Sequence, residues 1–136
     1  MRIFLGANIL FSAAKSAGAV RELLARAHAS GHRLCVDGYV VAEARRNLAV
    51  KGAEALTALE ALLAQPELAP FQATELPPEA ATLLPDKDRP VLGAAIRLGC
   101  EALVTGDRTH FGALFGKTIV GVSIHSPRSL AQALLT

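Results

Sequence analysis

Apolar residues along this chain follow two rhythms. Short runs of Ile, Leu, Val and Phe alternate with longer Ala/Leu-rich stretches whose apolar positions recur at helical spacing. The short runs predict strands near residues 2–5, 33–36, 70–73, 102–105 and 118–124. Helices are expected near 8–14, 19–29, 38–49, 52–64, 78–83, 89–98 and 127–134. Near-continuous apolar strands separated by helices predict an α/β domain with a central, mostly parallel five-stranded sheet flanked by helices. The breaks have chemical causes. Gly31 ends a helix, Pro66 and Pro70 bracket a loop, and Pro77, Pro78 and Pro85 stop helix continuation. Ser126 followed by Pro127 reads as an N-cap with proline at the first helical position. The stretch 53–64 has two readings, an inward-packing helix or a partner-facing one.

Composition narrows the class. At 136 residues with 51% apolar content, one core is expected and one domain is the natural organisation. No apolar run approaches the roughly 20 residues of a membrane span, and the Met1-Arg2 start leads straight into a strand without a signal-peptide pattern, so a cytoplasmic protein with no membrane partner is expected. Cys35 and Cys100 sit among apolar neighbours without metal-binding spacing and read as reduced, structural thiols. A net charge of +2 is too small for the whole-molecule field to attract nucleic acid, so any basic surface must be local.

In an open α/β sheet, ligands collect beyond the carboxyl ends of the strands, where strand order reverses. Gly6, Asp37 and Asp107 fall at such ends. Glu43 lies about one and a half turns into the helix after the second strand, near the same edge. Asp88 precedes Arg89-Pro90 and an apolar helix, so the tertiary fold must bring it to that edge. Carboxylates converging on a small volume repel one another, and hard divalent cations such as Mg2+ or Mn2+ relieve that repulsion through oxygen ligands.

These acids, in the segments 40–48, 88–98 and 103–111, together with the opening 3–14, resemble the PIN-domain family of metal-dependent ribonucleases, in its toxin-like branch from prokaryotic toxin-antitoxin modules. The resemblance implies a PIN-like α/β fold and phosphodiester hydrolysis of RNA. It assigns Glu43, Asp88 and Asp107 as metal-site acids, Asn8 as the polar residue after the first acid, and Thr105 as a hydroxyl position beside the fourth strand. The family's first aspartate is replaced here by Gly6, within Leu5-Gly6-Ala7-Asn8, which implies an attenuated or inactive site. Each assignment has a structural rival. Glu43 could pair with Arg46 or Asn47, Asp88 could cap the helix at 89, and Thr105-Gly106-Asp107 could simply end a strand. Asn8 could be a ligand or a cap. Asp37 and Asp86 are candidate replacements for the missing carboxylate, although Asp37 reads better as a cap and Asp86 as a solvated surface acid.

Arg45, Arg46, Lys51, Lys87, Arg89, Arg108 and His110 lie near the acids in sequence and are candidates for holding RNA phosphates. His28, His32 and His125 share no metal-binding spacing. One tyrosine and no tryptophan argue against a base-stacking platform of the kind used by many single-strand binders and for backbone and shape contacts. The resemblance further implies an antitoxin protein as partner and a homodimer. The competing reading is a non-catalytic module that binds RNA or an antitoxin. The absence of Gly-x-Gly-x-x-Gly after the first strand, and of a P-loop, argues against nucleotide-binding enzymes. A phospho-receiver is disfavoured because the acidic pair at the end of its first strand is missing.

Overall fold

The apolar runs at residues 3–5, 34–36 and 102–104 lie side by side as the sheet centre in the computed structural model, which describes residues 1–135. The strands are β1 (Arg2–Leu5), β2 (Arg33–Asp37), β3 (Glu67–Ala69), β4 (Ala102–Val104), β5 (Thr118–Ile119) and β6 (Val122–His125). They form one six-stranded sheet of order β3-β2-β1-β4-β6-β5, parallel throughout except for the β5/β6 pair. Helices α1 (Ala7–Lys15), α2 (Ala19–Ala29), α3 (Gly38–Lys51), α4 (Leu56–Leu62), α5 (Pro78–Ala81), α6 (Arg89–Arg97), α7 (Arg108–Phe111) and α8 (Pro127–Leu134) flank it. Ile3, Phe4 and Leu5 are at most 1% exposed, and each such burial contributes about 1.5–3 kcal/mol of transfer free energy. Among the described residues, no helix is long and apolar enough to cross a membrane.

The sheet has one strand more than expected. The run at 118–124 is a hairpin, because Val120 and Gly121 both take positive φ, 48° and 81°, and fold the chain back on itself. The strand placed at 70–73 lies instead at Glu67–Ala69, paired with β2 through Cys35↔Glu67 and Asp37↔Ala69. Pro70 follows it directly and offers no N–H to extend the ladder. As an edge strand it leaves Leu68 55% exposed, so it has no continuous apolar run to reveal it. The helix expected over 52–64 is a 3-10 turn at Ala53–Ala55 leading into α4. Its Ala55 and Leu59 are buried, and α4 packs on α1 and α3, so much of its apolar face is spent inside the chain. Helix α7, absent from the sequence pattern, is a single turn after Asp107. The N-cap at Ser126 is present as a capping box closed with Ser129.

Candidate functional site

Strand order reverses at β1, which has β2 on one side and β4 on the other. The register Leu5↔Val104 sets the carboxyl ends of β1 and β4 level, and Gly6 N–H extends the pairing to Val104 O at 3.0 Å. The residues just past both strands therefore face each other. Asn8 stitches them together: its Oδ1 accepts from Gly106 N at 3.0 Å, and its Nδ2 donates to Thr105 Oγ1 at 3.4 Å. The N-cap of α1 is Gly6, with no side-chain cap bond, so Asn8 is not that cap. Thr105, 3% exposed, accepts from Asp107 N at 3.1 Å and so holds the turn that presents Asp107.

Asp107 caps α7. Its Oδ1 accepts from His110 N at 3.1 Å, and its Oδ2 lies 2.9 Å from His110 Nδ1. The same Nδ1 is 3.0 Å from Asp88 Oδ2. One ring nitrogen carries at most one hydrogen and can serve one carboxylate. Hydrogen-bond geometry favours Asp107, and Asp88 Oδ2 is left buried without a hydrogen bond. Asp88 stands at the N-cap position of α6 in helical conformation, yet its side chain makes no cap bond, which removes pure capping as its explanation. Burial pushes its carboxyl above the usual range; neighbouring Asp107 adds to that shift, while His110 and Lys87 oppose it. Ligand atoms of Asp88, Asp107 and His110 lie within 4.8 Å of one another. On the sequence, His110 is the one histidine near the predicted site and a candidate for holding phosphates, not a member of the acidic cluster. The available signal was the Asp107-x-x-His110 spacing, one helical turn.

Glu43 is half-buried on α3 and stands outside this three-residue cluster. Tyr39, four residues earlier, feels both groups: burial raises its phenol pKa first, and the charges of Glu43 and Asp88 raise it further. Of the candidate replacements for a first-strand carboxylate, Asp37 is fully buried, accepts from Val40 N at 3.2 Å as the α3 cap, and lies 3.5 Å from Arg97. Burial raises its pKa, with the Val40 amide and Arg97 opposing. The side chain of Asp86 is 93% exposed and pairs with Arg89 at 2.7 Å. Neither belongs to the cluster. Gly6 has φ −70° and ψ 161°, open to any residue. A Cβ there would lie 3.5 Å from Asn8 Oδ1 and Thr105 Cβ, and 3.3 Å from Val104 O, pointing into the network that carries Asp107.

Among the candidate phosphate-binding cations, Arg45 is committed to Glu60 at 2.8 Å and Arg89 to Asp86 and the carbonyls of Ala81 and Leu84. Arg46, Lys87 and Arg108 are exposed and make no ion pair among the described residues. A groove of about 510 Å3 runs between α2 and α8 past Leu23 and Leu134 and shares no residue with the acidic cluster.

No protein-family model matches the sequence, and no curated protein matches it. Solved structures do match in fold. A chain of the crystal structure of VapBC2 from Rickettsia felis, bound to a DNA fragment from its promoter, superposes with a TM-score of 0.69 at 20% identity over 93% of this chain and 98% of that one. FitAB bound to an IR36 DNA fragment gives 0.61 at 16% identity over 92% and 94%. VapBC-1 from nontypeable Haemophilus influenzae gives 0.60 at 17% identity over 94% and 99%.

Proposed function

The chain has a PIN-like fold, and from that premise we propose that it is a divalent-metal-dependent endoribonuclease whose activity is attenuated by glycine at position 6. The observation that carries the reading is the partly buried Asp88 carboxylate, close to Asp107, whose buried Oδ2 makes no hydrogen bond and meets only the His110 Nδ1 it shares with Asp107. Burying such a group is costly unless a partner meets it, and a hard cation is the partner that two adjacent carboxylates suit. The residues present fit Mg2+ or Mn2+: Asp88 and Asp107 would hold it, with Glu43 nearby on α3. Bound there, the ion supplies charge stabilisation to a phosphodiester under attack and activates the attacking water.

The chain's own residues carry the rest. Asn8 and Thr105 hold the turn that aims Asp107, and His110 orients its carboxylate. Arg46, Lys87 and Arg108 bind the phosphates flanking the scissile bond. Gly6 leaves the first-strand side of the site without an anion, so the ion is held by fewer charges and cleavage is slow or absent.

One observation favours a second reading, a non-catalytic RNA- or antitoxin-binding module. His110 Nδ1 already sits 2.9 and 3.0 Å from the two acids, where its N–H substitutes in part for a cation. Under either reading, an RNA substrate or ligand, an antitoxin-like protein partner, a homodimer and a cytoplasmic setting complete the proposal. Similar chains occur in structures described as bound to DNA fragments, which supports a protein that works in a nucleic-acid-bound assembly.

The test is RNA cleavage in Mg2+ or Mn2+ by the chain as written and by Gly6→Asp, with Asp107→Asn in the latter background as a control for contaminating nuclease. Gly6→Asp is expected to cut on the order of 100-fold faster, since small misplacements of a catalytic group cost about that much. Equal rates would show that Gly6 does not mark a lost ligand. No cleavage by Gly6→Asp, with RNA binding retained, would favour the second reading.

A further inference from the structure

Few aromatic residues are present, but the fold sets two of them together beside the acidic cluster. Tyr39, in the first turn of α3, and Phe71, in the segment after β3, have ring centroids 5.6 Å apart at an interplanar angle of 33°. Tyr39 Oη donates to the carbonyl of Lys87 at 2.6 Å, so the pair is tied to the residue next to Asp88. Phe71 is 48% exposed, yet its surroundings restrain it. Arg97 donates to Pro70 O at 3.4 Å while facing Asp37, which anchors the backbone just before the ring. A Cβ on Gly38 would lie 3.3 Å from Phe71 N, a tight contact, so the glycine eases this close approach.

An exposed phenyl ring, backed by a tyrosine that is bonded to the Lys87 backbone and feels the charge of Arg46, two cations without ion pairs among the described residues, suits an occupant that is flat and apolar on one face and anionic along its backbone. Single-stranded nucleic acid has that combination, because bases stack on aromatic rings while phosphates meet the cations. An aliphatic side chain of a protein partner would fill the ring's face but leave the cations unused. We propose that Phe71, backed by Tyr39, is a base-stacking position that holds one nucleotide of single-stranded RNA next to the scissile phosphate. The inference rests on the nuclease reading of the acidic cluster and adds a positioning residue to it.

The test measures equilibrium binding of fluorescein-labelled single-stranded RNA of mixed sequence by anisotropy in EDTA, where no cleavage intervenes. Phe71→Ala is expected to weaken binding about 5- to 150-fold, the range for one stacked base. Phe71→Trp should retain or tighten binding, and Phe71→Leu, apolar without a π-face, should weaken it as alanine does. An oligonucleotide series with a single abasic site moved along the strand should contain one position at which Phe71→Ala has no further effect. Unchanged affinity in Phe71→Ala, or full affinity in Phe71→Leu, overturns the stacking role while leaving the nuclease reading intact. Loss of self-association by light scattering in Phe71→Ala, with RNA affinity unchanged, would assign the surface to a protein interface and likewise overturn it. Failure of the unaltered chain and of Gly6→Asp to bind RNA at all would remove both readings together.

Discussion

Replacing Asp88 by asparagine separates a helix cap from a ligand awaiting its cation. In the folded chain the Asp88 side chain is 13% exposed, its Oδ2 has no hydrogen bond, and Asp107 is its close neighbour. A buried polar oxygen left unsatisfied costs about 1–3 kcal/mol, and more when charged. Asp88→Asn keeps the shape and removes the charge, so it should stabilise the metal-free protein by about 2 kcal/mol, which raises Tm by roughly 6–10 °C for a domain of this size. Because the folded-state pKa of Asp88 is raised, the folded form holds this proton more tightly than the unfolded chain does. Stability is therefore lost as pH rises from the ordinary carboxylate range near about 4 through the raised value, and the gap between variant and parent should open across that interval and stay flat above it. The assay is thermal unfolding in EDTA at a series of pH values, repeated with Mn2+. The variant should gain stability in EDTA and lose the increment that Mn2+ gives the parent. Asparagine caps helices as well as aspartate does, so a capping role predicts no change in EDTA. No gain, or a loss, would refute the reasoning.

Four further outcomes follow from the same geometry. Gly6→Asp should unfold at a lower temperature than the parent in EDTA, from added carboxylate repulsion, and at a higher one with Mn2+, with a metal-dependent gain of about 2.7 kcal/mol at 100 times Kd; calorimetry with and without the ion checks both signs. Thr105→Val removes the acceptor for Asp107 N and should cost about 1–3 kcal/mol in denaturant unfolding, with Thr105→Ser retaining most of it. Asp37→Ala strips the α3 cap and leaves the Arg97 guanidinium half-buried without its carboxylate, a loss of about 3 kcal/mol measurable by urea titration. Burial lowers the pKa of His125, so its contribution to stability is lost as pH falls from about 6.5 through the folded value; His125→Asn should flatten that part of the pH–Tm curve.

Much of the architecture could be read from the chain, because a strand buried on both faces must be apolar throughout and a helix must end where proline or glycine ends it. Residues 2–5, 19–29 and 127–134 follow that logic closely, and Ser126 caps its helix as its chemistry requires. Edge elements do not obey it. β3 is half-solvated and β5 is two residues long, so neither carries an apolar signature, and the turn at Val120-Gly121 depends on backbone φ that side-chain periodicity does not encode. The acids at strand ends were visible as residue types at plausible positions. Which of them meet was decided by the tertiary structure alone. Asp88 reaches Asp107 because α6 leads back into β4 beside β1; Glu43, on α3, stands outside the cluster, and Asp37 is spent on Arg97 of α6. His110 entered the centre, and Phe71 came to rest on Tyr39, for the same physical reason: distances between residues far apart in sequence are set by packing, and local pattern contains no measure of them.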